Sequence, residues 1–152
     1  MLGSARTASA REALARLLSA AALAASFAIL TPARADAPVV VGEVSTSVGH
    51  EEVVPVMRTA LAAQLSSVKV PSGKRFVVSA SLTKFETKST GNDATTSCVV
   101  SLALRDAAGN LKGTLTGNGA VIAKRGDAKA TQQAIDAAVH GATRNLDAVI
   151  AQ

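Results

Sequence analysis

Two histidines, one cysteine and a scatter of carboxylates are the side chains of this sequence whose types could carry chemistry. His50-Glu51-Glu52 is the densest group. An imidazole beside carboxylates can move a proton or help hold a metal. Consecutive residues at a helix start, however, point in different directions, and the second histidine, His140, is far away in sequence. Neither a His-x-x-x-His nor a Cys-x-x-Cys pair occurs, so no metal site, no cofactor site and no catalytic residue is predicted. The enzyme alternative is a small hydrolase or isomerase using His50 or His140. It requires a concave pocket that gathers one of them with an acid.

Cys98 shares the phase of Val100, Leu102 and Leu104, while Ser97, Ser101 and Arg105 point away. A cysteine on the apolar side of a strand is a small buried hydrophobe, whereas a nucleophile needs exposure and a depressed pKa. A lone cysteine also closes no intrachain disulfide.

The glycines invite a phosphate-loop reading that their surroundings refuse. Gly109-x-x-x-Gly113-x-x-x-Gly117-x-Gly119 lacks the Gly-Lys-Ser/Thr ending and lies inside a strand pattern. The segment from Gly42 to Gly49 has no lysine. A nucleic-acid partner is not expected. The chain has no Trp or Tyr, and Phe76 and Phe85 both fall in strand patterns, so a stacking platform is missing.

The elements follow from apolar periodicity. Val39 to Val44 is a β-prone run and Ser45 to Gly49 a loop. From Glu51 or Glu52 a helix is predicted, with Val53, Val54, Met57, Ala60, Leu61, Gln64, Leu65 and Val68 on one face. Pro55 fits only its first turn. Pro71-Ser72-Gly73 is a turn. Phe76, Val78, Ala80 and Leu82 then face inward from a strand whose phase breaks at Phe85, which implies a bulge near Lys84. Lys88 to Ala94 reads as a polar loop, with the next strand beginning at Thr96. Asp106 to Asn110 is a hairpin loop with Gly109 left-handed, and Leu111 to Ala123 returns. The glycines of that return strand imply a bulge, an edge or a helix packed close against the sheet. A single long helix capped by Asp127 ends the chain, with Ile135, Ala138, Val139, Ala142, Leu146, Val149 and Ile150 on its stripe. Asp136, His140, Arg144 and Asp147 take the other side.

The order β-α-β-β-β-α predicts an α/β (α+β) two-layer sandwich. Its mainly antiparallel four-stranded sheet carries two helices on one face. Ser79, Ser81, Ser97, Ser101, Lys112, Thr114 and Thr116 make the other face polar, which argues against helices on both sides.

The segment 1–35 reads as a secretory signal peptide. Arg6, Arg11 and Arg16 precede an uncharged run from Leu17 to Leu30, and Ala33-Arg34-Ala35 supplies a cleavage pattern before Asp36. That run spans about 21 Å as a helix, short of a hydrocarbon core of about 30 Å, so a stable transmembrane anchor is not expected. A transit peptide would interleave its arginines with the apolar residues. Residues 36–152 form the single small domain, destined for the periplasm or secretion. Without the first 35 residues the chain keeps 12 basic and 10 acidic residues, a net charge of only +2. The apparent basicity belongs largely to the leader, which again gives no ground for a nucleic-acid partner.

The element order, with Val39-Val-Val-Gly-Glu-Val at its start and Leu102-Ala-Leu-Arg-Asp-Ala-Ala-Gly-Asn-Leu-Lys before the final helix, resembles the periplasmic domains grouped around the LpoB and CsgG lipoproteins. The resemblance implies a non-enzymatic module that assists another envelope protein. In that group, one branch activates peptidoglycan synthases and another forms curli export channels. This chain has no lipobox cysteine and no segment resembling the channel's membrane hairpins, so a soluble accessory role is the expectation and another envelope protein the expected partner.

Overall fold

A computed structural model describes residues 37–152. The predicted leader and its cleavage point at Ala35/Asp36 lie outside the described residues. Strand β1 covers Val39–Thr46, and a 3-10 turn over Glu51–Val53 runs into helix α1, Val54–Leu65. Pro55 sits in the first turn of α1, where its missing N–H has no intrahelical acceptor to lose. Strands β2 (Phe76–Thr90), β3 (Asp93–Asp106) and β4 (Leu111–Lys124) follow, then helices α2 (Ala130–Thr143) and α3 (Leu146–Ile150). The sheet order is β1-β2-β3-β4, with β1 parallel to β2 and the other pairs antiparallel. The order and mixed sheet are those the periodicity predicts.

Alternation builds the core. Phe76, Val78, Ala80 and Leu82 from β2, and Cys98, Val100, Leu102 and Leu104 from β3, are buried. They meet Met57, Leu61 and Leu65 of α1 and Ile135, Ala138 and Val139 of α2. The register of β2 against β3 shifts between Leu82 and Lys84, the bulge that the phase of Phe85 demands. Beside it, Gly42 and Glu43 of β1 fall within a second shift against β2.

Three readings need correction. Lys88 to Ala94 is paired strand, not loop: Lys88 faces Thr95, Ser89 faces Ala94, and only Gly91-Asn92 turns the chain, with Gly91 at φ +61°. Pairing needs only backbone groups, and most side chains at this hairpin tip are exposed, so no apolar alternation marks them. Asp127 does not cap the helix either. Its Oδ1 accepts the N–H of Lys129 at 2.8 Å in the turn ahead, and α2 starts at Ala130 with no side-chain cap. Finally, the last helix is two helices, interrupted at Arg144-Asn145. There Thr143 Oγ1 donates to the carbonyl of Val139 at 2.9 Å, a back-bond that bends helices.

The glycines of β4 answer their own question. β4 is an edge strand, and α2 lies directly on it, with α3 over its start. A Cβ built on Gly117 would stand 1.9 Å from the Ala138 carbonyl oxygen, and one on Gly119 at 1.9 Å from that of Ala134. On Gly113 it would meet only Val149 Cγ1, at 2.9 Å. Small residues here let the helix backbone approach the strand backbone.

Candidate functional site

The two histidines are not brought together. His50 Nδ1 lies 2.9 Å from Glu52 Oε1 at the head of α1, and its ring tilts against Phe85 at a centroid distance of 4.5 Å. The hydrogen bond from His50 draws the Glu52 carboxyl below its ordinary pKa. His140, on α2, meets Gln64 Oε1 at 3.3 Å. Glu52 and Gln64 stand at opposite ends of the first helix, about 18 Å apart at 1.5 Å per residue. His50 is partnered by an exposed glutamate and His140 by a half-buried glutamine, so neither histidine shares a cavity with an acid in these contacts. No cluster of three or more His, Cys, Asp or Glu occurs among the described residues.

Cys98 is 2% exposed, and its thiol donates to the Ala134 carbonyl at 3.2 Å. Burial pushes the thiol pKa up to about 11, against a smaller opposing effect of the Gly119 backbone. A group held in its neutral form beneath a helix is packing, not a nucleophile.

Two surface features remain, one flat and one concave. The first is the uncovered sheet face with its β4 edge. Ser45, Ser79, Ser81 and Ser101 carry short side chains there, and with Glu43 and Ala103 they line a shallow depression of about 170 Å³. β4 runs 14 residues at the rim, and its exposed positions include Thr114, Thr116 and Ile122, the last 75% exposed. Among the described residues no backbone group between Lys112 and Ala123 bonds outside the sheet. The opposite edge, β1, is only 8 residues long and irregular, and Arg58 reaches over its Gly42 carbonyl.

The second surface is a cleft of about 540 Å³ at one end of the sheet, between the loop before β2, the β3–β4 turn and α3. Lys74, Arg75 and Lys112 rim it, and Phe76, Val149 and Ile150 form its apolar side. Asp106, its acid, is tied into the turn. Its Oδ1 accepts the N–H groups of Ala108 and Asn110, each at 2.9 Å, and its Oδ2 accepts Asn110 Nδ2 at 3.1 Å. The Asn110 side-chain bond leads the set of bonds that lowers the Asp106 pKa. Sequence reasoning missed this cleft because its cations come from separate segments, none of which carries a motif.

No helix among the described residues is long and apolar enough to cross a membrane. No family model matches the chain, and a search of curated proteins gives no match. Solved structures resemble the chain only at low similarity. A Caulobacter crescentus protein assigned as a lipoprotein is 16% identical, with a TM-score of 0.45 over 71% of this chain and 87% of its own. A DUF330-family protein from Xanthomonas campestris is 13% identical, with a TM-score of 0.47 over 74% and 80%. A minor lipoprotein from Acinetobacter baumannii is 15% identical, with a TM-score of 0.41 over 73% and 94%.

Proposed function

We propose that this chain is an exported, non-enzymatic accessory module of the cell envelope that acts by binding another envelope protein. The observation that carries the reading is the free β4 edge beside a sheet face of short polar side chains. Unpaired strand backbone recruits extended segments of partners, with affinity from main-chain bonds. The accessory role also draws on the resemblance of the element order to the LpoB and CsgG group, and export draws on the basic, apolar and Ala-x-Ala parts of residues 1–35.

Each half has its own experiment. Export predicts that the native protein, recovered from cell fractions, begins near Asp36; recovery from the cytoplasm with Met1 in place would overturn it. For binding, a photo-crosslinking residue is placed in cells at Thr116 on the strand edge and, separately, at Arg144 on the helical side. A discrete adduct with an envelope protein from position 116 alone is the expected result. No adduct at 116, or equal adducts at both positions, would sink the edge as the binding surface.

A further inference from the structure

We propose that the cleft rimmed by Lys74, Arg75 and Lys112 is a binding site for a small anionic amphiphile, a carboxylate head on a short aliphatic chain. Its volume of about 540 Å³ falls in the range of sites that enclose small molecules. The charge is concentrated: three of the 12 cations after residue 35 stand around one opening. Asp106 offsets only one of them: its ionised carboxylate is held by Ala108 and Asn110 and lies 3.9 Å from Lys112 Nζ, which leaves Lys74 and Arg75 in excess. Lys74 and Arg75 form no ion pair among the described residues. Arginine presents a fork that accepts a carboxylate through two parallel bonds, and the lysines add point charges beside it.

The floor supplies the second half of the recognition. Phe76 opens β2 and Ile150 closes α3, both buried in the core, while Val149 beside them is only partly covered. Ala107 and Ala108 add methyl groups on the turn side. A cationic rim over an apolar wall suits a ligand with one charged end and one greasy end, since each half would be left unmatched by a purely polar or purely apolar molecule.

Octanoate is the probe, titrated into the protein spanning residues 36–152, with binding followed by calorimetry and by amide chemical shifts. Octan-1-ol lacks the charge, acetate lacks the chain, and octyl phosphate tests whether any anionic head suffices. Octanoate should bind with shifts at Arg75, Ala108, Lys112 and Val149, and octanol and acetate should each bind at least about tenfold more weakly. Octyl phosphate binding as tightly as octanoate would refute the carboxylate assignment. Arg75→Gln should weaken octanoate binding about tenfold with the amide spectrum otherwise unchanged, and Lys129→Gln, outside the cleft, should leave it as it was. Octanol binding as tightly as octanoate, equal losses in the two variants, or no octanoate binding at about 1 mM would overturn the assignment.

Discussion

The carbonyl oxygen of Ala134 serves two neighbours on the sheet at once. Cys98 Sγ donates to it at 3.2 Å, and the Cα of Gly119 passes so near that a Cβ there would overlap it. This close approach governs how the residues around it react and what they tolerate. Cys98 should react with a thiol reagent orders of magnitude more slowly in the folded protein than in denaturant, because only a large opening of the core exposes it. Its raised pKa also sets a sign. Up to about pH 9 both folded and unfolded chains keep the proton. Between there and about 11 only the unfolded chain loses it, so stability should fall as pH rises through that window. Comparing denaturant melts of the native chain with those of Cys98→Ala across this window isolates the effect, since lysine titration is common to both. For the glycines, Gly117→Ala should cost at least about 3 kcal/mol, because the new methyl meets helix backbone that cannot step aside. Gly113→Ala meets a methyl of Val149, a side chain stiff at χ1, and should cost about 1–2 kcal/mol, less than Gly117→Ala. Gly141→Ala, on α2 opposite, finds its nearest neighbour at 3.7 Å and should gain about 0.5 kcal/mol from helix propensity. Thermal or urea melts of the three variants give the ranking directly.

The elements were legible wherever one face meets the core. The stripe of α1 and the alternation of β2 and β3 gave type and phase, because burial demands apolar residues at the helical or strand period. The hairpin tip from Lys88 to Ala94 was not legible, since it is held by backbone pairing with little apolar contact. Nor was the break at Arg144-Asn145, for Ala142 before it and Leu146 and Ile150 after it are all buried and the apolar stripe runs on unbroken. That continuity makes the short α3 part of the core. Leu146 is fully buried, so Leu146→Ala should cost about 2–5 kcal/mol through lost transfer energy and a cavity. Arg144→Ala, on the exposed side, should change stability by less than about 0.5 kcal/mol. Equal denaturation midpoints for the two would mean that α3 is not docked on its own sheet.

At the scale of the whole molecule, both candidate surfaces are products of assembly. The cleft joins the loop before β2, a turn before β4 and the end of α3, so its cations are indistinguishable in the sequence from solvated surface charge. The open sheet face was foreseeable from its serines and threonines, whereas the freedom of the β4 edge depends on which strand ends the sheet. That edge carries Lys112 and Lys124 near its two ends and no acid between them. Two copies pairing antiparallel about Asn118 would set each lysine of one against a lysine of the other, and like charges directly opposite are unfavourable. The native chain should therefore resist edge-to-edge self-association, while Lys112→Val with Lys124→Val should form dimers or larger species. Sedimentation velocity at several concentrations measures this, and identical behaviour of the two proteins would show that the lysines do not guard the edge.

The overlap of α2 with β4 also bears on how related sequences will have to be read. Wherever a relative keeps the helix this close, selection can admit no side chain at positions 117 and 119, so those columns will look as invariant as any catalytic pair. Their constancy will report a distance between two backbones. The cleft cations, each exposed and separately replaceable, will vary far more unless a ligand holds them. The ratio of constancy between these two sets of positions would thus separate what preserves the fold from what preserves a use.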